Sequence, residues 1–425
     1  MNMMNHKLAD LHPYPFAKMA TLLANSAPAV DFKEIKLGIG EPKHAPPAFV
    51  LDVLTENLDK IAHYPTTNGL FELRQTIAHW LERRFMLHHV NPNSQVLPVM
   101  GTREAIFSSV QAIINLPSET TGIKSAAATA KPLIVMPNPF YQIYEGAALL
   151  AGAEPYFIAC TAENNFKGDY RSVPAQVWEH TQLVFVCSPN NPTGAVMSFE
   201  DWEDLIRLSD QYGFVIASDE CYSELYFDTP PVGLLQACAM LGRHDFKNCL
   251  VFHSLSKRSN LPGLRSGFVA GDAQVLAQYL QYRTYHGCAM PIPHQLASIA
   301  AWQDENHVRE NRRLYAEKFA LWMAELGDTL ALTMPDAGFY LWVRVPAAFS
   351  NAAGEGDDEA FVRALFEQVN IHALAGRYLS REVDGINPGK GYVRIALVAS
   401  IEENQEAISR IKSLLAMRAT SDTTA

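Results

Sequence analysis

Short, wholly apolar runs punctuate the middle of the chain at residues 133–136, 183–187, 214–217 and 250–252, and each gives way to polar residues or prolines. Residues 96–100, 155–159 and 266–270 have a similar character. Between these runs the spacing becomes helical: Leu70, Leu73, Ile77, Trp80 and Leu81 mark one face over 70–85, and 101–115, 143–151 and 202–212 also read as helices. Strands that are apolar throughout have both faces buried, so the alternation predicts an α/β fold with a mostly parallel sheet between helices.

The flanks differ from this middle. Residues 1–35 hold Pro13, Pro15 and Pro28 around a helical stretch at 16–24, an arm of the kind that often crosses to a partner subunit. Residues 35–42 read as a strand ending at Gly38, Gly40 and Pro42, where the backbone can lie close to a ligand. Helical periodicity dominates 274–326, broken at Pro291 and Pro293, with a long helix over 304–326. Strands at 330–333, 339–345, 371–373 and 391–397, with helices at 357–369 and 402–416, then make a compact α+β unit. Ser400 and Glu403 form a capping-box pattern at its last helix. The expected organisation is an arm with part of the small domain (1–35), a large domain (36–300) and a small domain (301–425). A solvated loop is expected at 118–131 and a frayed tail at 420–425.

Composition narrows the function. With 48% hydrophobic and 19% charged residues, the chain can bury a large core. A net charge of -11 without a lysine/arginine block argues against nucleic acid and an anionic membrane, and leaves small soluble molecules as partners. The six cysteines show no CxxC pair and no metal-type spacing with histidine, so free thiols and no metal are expected. The first ten residues lack a secretory pattern, which makes the cytoplasm the expected location.

Candidate chemistry collects where strands end. Ser254-Leu255-Ser256-Lys257 places an amine between small hydroxyl residues, eight positions before Arg265, so it can hold a nucleophile and an anion; an ordinary solvated lysine fits the segment equally well. Gly101-Thr102-Arg103 opens a helix whose free N–H groups suit a phosphate, as do those of most helices. Phe140 and Tyr141 follow one strand, Asn191-Pro192-Thr193-Gly194 another, and Asp219 with Tyr222 a third. Arg394 by itself reads as a surface arginine on a strand. Singly, Asp219 reads as a helix cap, Tyr222 as core and Asn191 to Gly194 as a turn. Together, at successive strand ends, these residues point to one ligand.

These segments, with Tyr64 to Gly69, resemble the fold-type I pyridoxal-5′-phosphate (PLP) aminotransferases of the aspartate aminotransferase class, from about residue 33 to 415. Residues 12–16, 254–260 and 387–397 are similar to the bacterial N-succinyldiaminopimelate aminotransferases of lysine biosynthesis. The resemblance implies a seven-stranded-type sheet and a homodimer with a shared site. It implies that Lys257 bonds to the cofactor's aldehyde carbon and later moves a proton. Asp219 would pair with the ring nitrogen, Tyr222 and Asn191 would bind the ring oxygen, and Tyr141 rather than Phe140 would stack on the ring. Ser254, Ser256, Arg265, the helix start at Gly101, Thr102 and Arg103, and Tyr64 of a neighbouring subunit would hold the phosphate. Position 103 departs from the small or amide residues often found there, so its side chain is not the expected contact. Arg394, with Gly40 and Asn191, would take the substrate carboxylate.

The implied reaction is amino transfer between glutamate and N-succinyl-2-amino-6-oxopimelate. Lys18, Arg258 and Arg377 are candidates for the substrate's distal carboxylates. An aminotransferase for aspartate, alanine or aromatic amino acids, or a PLP-dependent C–S lyase, would share the catalytic set. A PLP-binding regulator would need an added DNA-binding domain, against which the acidic charge counts.

Overall fold

The computed structural model of the protein describes residues 5–116, 131–351 and 354–422. The loop expected at 118–131 lies, apart from Lys131, outside them, as do residues 423–425 of the expected tail. The strands in chain order are β1 (Ile35–Lys36), β2 (Val96–Val99), β3 (Leu133–Asn138), β4 (Glu154–Ala159), β5 (Thr181–Cys187) and β6 (Val215–Asp219). They continue with β7 (Cys249–Ser254), β8 (Gly267–Gly271), β9 (Tyr340–Arg344), β10 (Ile371–His372), β11 (Leu374–Ala375) and β12 (Tyr392–Ala396).

Among the described residues, seven strands form the main sheet in the order β2-β8-β7-β6-β5-β3-β4. All neighbours are parallel except β8, which runs antiparallel to both β7 and β2. Successive side chains point to opposite faces, so Val135, Val184, Val186, Ile216 and Val251 enter one core while Ile134, Met136, Leu183, Phe185 and Leu250 enter the other. Helices cover both faces, which is why the strands read as continuous apolar runs. The chain order reverses at β3, which has β4 on one side and β5 on the other. Ligands in open α/β sheets bind beside such a reversal, at carboxyl ends of the strands.

A second core joins Met19, Ile35 and Leu37 to Phe319, Trp322, Leu341, Val393 and Leu414. Here β11-β12-β9 make a three-stranded antiparallel sheet, and β1 pairs parallel with β10. The helical region divides into Ala273–His286, Ile292–Gln303 and Asn306–Leu326. The last helix spans Ile401–Asp422, and Ser400 and Glu403 exchange the expected hydrogen bonds at 3.2 and 3.1 Å. The strand expected at 330–333 is instead a turn closing the helix Asn306–Leu326. Leu330 and Leu332 donate their N–H groups back to Leu326 and Gly327, and Ala331 has a φ of 47°. Leu330 is apolar because this turn buries it against the second core.

Candidate active site

The carboxyl ends of β5, β6 and β7 open into a cavity of about 510 Å³. Gly40, Thr102, Arg103, Tyr141, Asn191, Asp219, Tyr222, Ser254, Ser256, Lys257, Arg265 and Arg394 all line it. Gly101 stands at the adjoining helix start.

Lys257 lies on a one-turn helix, Leu255–Arg258, capped by Ser254, whose hydroxyl accepts from the Ser256 N–H at 3.1 Å. Its amine donates to the carbonyl of Gly40 and sits 5.3 Å from the centroid of the Phe339 ring. Burial brings its pKa down to about 8; nearby Cys221 opposes the shift and the Arg394 charge adds to it. The lysine is therefore easier to deprotonate than an ordinary one.

Asp219 ends β6 and is buried. It accepts from the Tyr144 hydroxyl at 3.0 Å and from the Cys221 N–H at 3.3 Å. Burial raises its pKa, against the pull of these hydrogen bonds. Tyr222 and Tyr340 share a hydroxyl contact of 3.0 Å, and burial is the main cause of the raised Tyr222 pKa.

Arg394, buried on β12, donates to Asn191 Oδ1 and to the Gly38 carbonyl, each at 2.8 Å. Its guanidinium lies 4.4 Å from the Tyr340 ring centroid, and its Nε is buried without a partner among the described residues.

A second cation, Arg265, faces Gly101. Gly101 has a φ of 85°, and a Cβ there would overlap the Arg265 guanidinium. Helix Thr102–Ile113 begins without a side-chain cap, so its first N–H groups are left for another acceptor. The Ser254 and Ser256 hydroxyls lie 2.9 Å apart beside them. Hydroxyls, a guanidinium and helix-end N–H groups are the donor set a phosphate requires, and a buried carboxylate beside an amine suits a protonatable aromatic aldehyde. The residues fit PLP.

The other candidates divide between the cavity and its surroundings. Arg103 turns its side chain to Tyr141, with Nε donating to the hydroxyl at 2.6 Å. Phe140 is core, 5.1 Å from Phe157, while Tyr141 lines the cavity. Tyr64 is wholly exposed and does not line this chain's cavity. None of Lys18, Arg258 and Arg377 lines it either. Arg258 follows Lys257 on a helix, where one residue turns the side chain by about 100°, and so points elsewhere. It is buried, bonds Glu305 at 2.7 Å and packs 4.8 Å from the Trp302 ring. Arg377 is held by Asp357, Asp358 and Glu359. Lys18 lies 5.7 Å from the Tyr378 ring. Residues missed in the sequence include Tyr14, Glu41, Gln142 and Tyr340 at the cavity, and Tyr144 behind Asp219. Tyr144 and Gln142 stood in the aromatic stretch after β3, which was the available signal.

A lysine, a buried carboxylate and donors suited to a phosphate, at the reversal of such a sheet, match a PLP-dependent enzyme of fold type I. The chain belongs to the class I and II aminotransferases, whose family pattern it matches over residues 33–411. Such enzymes act on amino acids and 2-oxo acids. The chain is 31% identical over 415 residues to the LL-diaminopimelate aminotransferase of Nitratidesulfovibrio vulgaris (strain DSM 19637 / Miyazaki F), covering 96% of this chain and 98% of that one. A crystal structure of an aminotransferase from Neisseria meningitidis Z2491 is 49% identical with a TM-score of 0.88, covering 97% of this chain and 100% of that one. A probable N-succinyldiaminopimelate aminotransferase from Thermus thermophilus is 26% identical with a TM-score of 0.78, covering 90% and 95%. Among the described residues no helix is long and apolar enough to cross a membrane.

Proposed function

We propose that this aminotransferase moves the amino group of glutamate to N-succinyl-2-amino-6-oxopimelate, giving N-succinyl-LL-2,6-diaminopimelate. One observation carries the catalytic part: the Lys257 amine, with its pKa lowered to about 8, shares a cavity with the buried Asp219 carboxylate and the buried Arg394 guanidinium. Bound PLP supplies an aldehyde for an amine and a ring that draws electrons from the substrate's Cα. Asp219, its carboxylate fixed by Tyr144, would hold a proton on the ring nitrogen. Tyr222 and the Asn191 amide would bind the ring oxygen, and Tyr141 would pack on the ring. Ser254, Ser256, Arg265 and the N–H groups from Thr102 onward would hold the phosphate. Arg394, oriented by Asn191 and Gly38, would grip the substrate α-carboxylate, and the Lys257 amine would carry the Cα proton.

The reading extends to organisation. The small domain carries Arg394 across to a cofactor held by the large one, and two copies complete the site. Tyr64 would reach the phosphate of a partner, with the exposed Leu58 and Ile61 packing on that partner's surface.

The succinylated substrate is supported by the name of the Thermus thermophilus neighbour and by Arg103, a cation at the cavity available to a distal carboxylate. Free LL-diaminopimelate is the second reading. The Glu41 carboxylate, also at the cavity, suits its distal ammonium, and the Nitratidesulfovibrio relative bears that name. The test compares kcat/KM for the two compounds as donors to 2-oxoglutarate. A preference of about ten-fold or more for the succinylated donor is expected. The reverse preference selects the second reading, equal rates with aspartate, alanine or phenylalanine defeat both, and pyruvate released from cystathionine without an acceptor identifies a lyase.

A further inference from the structure

Lys257 is held from the helix Asn306–Leu326 as well as from the cavity. The Asn311 side chain, only 2% exposed as a residue, donates from Nδ2 to the carbonyl oxygens of Lys257 at 3.0 Å and Arg258 at 3.3 Å. These carbonyls end the one-turn helix, where intrahelical donors have run out. On its other edge Asn311 Oδ1 accepts from Asn260 Nδ2 at 3.0 Å and meets His44 Nδ1 at 2.8 Å.

The two carbonyls require the NH₂ group on their side, which makes Oδ1 the acceptor and assigns the proton to His44 Nδ1. His44 Nε2 is then left to accept, and Lys318 Nζ lies 2.7 Å from it. Lys318 is 3% exposed. Burial lowers the pKa of both His44 and Lys318, and each also feels the repulsion of a neighbouring cation. The neutral imidazole thus serves as a two-sided spacer between an ammonium and an amide. His44 also packs against Tyr315 with the rings tilted by 44° and their centroids 4.6 Å apart, and lies four residues beyond Gly40, whose carbonyl receives the Lys257 amine. The base and the tip of the Lys257 side chain are both fixed relative to residues 40–44.

We infer that Asn311, oriented by His44 and Lys318, is a positioning residue that aims the Lys257 amine during proton transfer without touching substrate or cofactor. The inference rests on the catalytic reading of Lys257 above. A lysine amine hangs on four flexible carbons, so its reach depends on how firmly its main chain is held.

The test uses cofactor-loaded protein, glutamate as the probe, and single-turnover rates followed by cofactor absorbance. Asn311→Asp keeps the shape but turns an acceptor toward the carbonyls, His44→Leu removes the orienting donor, and His44→Gln keeps one. Asn311→Asp and His44→Leu are expected to lower the saturated rate about ten-fold or more with KM within about two-fold, and His44→Gln to recover most of it. Saturated rates within about two-fold of the parent, or losses matched by lost cofactor, overturn the inference. Should Asn311→Asp fail to fold, the His44 pair decides the matter. Borohydride labelling of the parent separates the two readings. An unlabelled Lys257 removes the catalytic reading and this inference together, whereas a labelled Lys257 with unaffected variants removes this inference alone.

Discussion

Arg394 and Asn191 share a 2.8 Å hydrogen bond that ties β12 to the turn beyond β5. The bond, with that to Gly38, sets the guanidinium before any substrate arrives. Lysine cannot bond Asn191, Gly38 and a carboxylate in the same fork geometry. Arg394→Lys should therefore raise KM for glutamate about ten- to a hundred-fold with a smaller change in kcat. Adding Asn191→Ala should cost less than the sum of the single effects, read as kcat/KM in a double-mutant cycle.

Asp219 presents a stability–activity conflict. Its folded-state pKa is raised, so above both the unfolded and the folded values the buried carboxylate costs stability in the cofactor-free chain. Asp219→Asn should raise the thermal midpoint of that form at neutral pH by roughly 2 °C or more. It should also lower kcat of the loaded enzyme about 10²- to 10³-fold, because a neutral amide cannot hold the ring proton. Calorimetry on one form and turnover on the other measure the two effects.

Lys257 fixes a pH dependence. Only its neutral amine attacks an aldehyde, so covalent uptake of PLP by cofactor-free protein should accelerate as pH rises through about 8 and level off above it. A rise displaced to the ordinary lysine range, near 10.5, would contradict the burial of this amine. Lys257→Ala should lose at least about 10³-fold in kcat while retaining PLP noncovalently.

Gly101→Ala tests the phosphate cradle. The positive φ of 85° and the overlap of a Cβ with Arg265 act together. A strain of about 1–3 kcal/mol should weaken PLP binding by roughly ten- to a hundred-fold, measured by equilibrium titration of the cofactor-free protein.

The parts of the fold legible in the sequence are those where one local property decides the outcome. The buried parallel strands announced themselves because both faces need apolar residues, and Asp219, Asn191 and Lys257 stood out because polar residues follow those runs at once. What stayed hidden depends on partners far along the chain. The antiparallel course of β8 is invisible in its own five residues, and Tyr340 enters the site only because β9 pairs with β12. Arg258 misled because sequence proximity to Lys257 says nothing of side-chain direction on a helix. Leu330 misled because burial in a turn and burial in a strand demand the same residue type.

The pairing of β1 with β10 bears on how the molecule is made. Ile35 and Leu37 leave the ribosome before the partners they pack with, which lie between residues 319 and 414 and are synthesised last. The segment that delivers the Gly38 and Gly40 carbonyls to Arg394 and Lys257 must therefore wait, unpaired, for nearly the whole of translation. A nascent chain stopped short of β10 cannot close its site, however well the seven-stranded sheet has already folded.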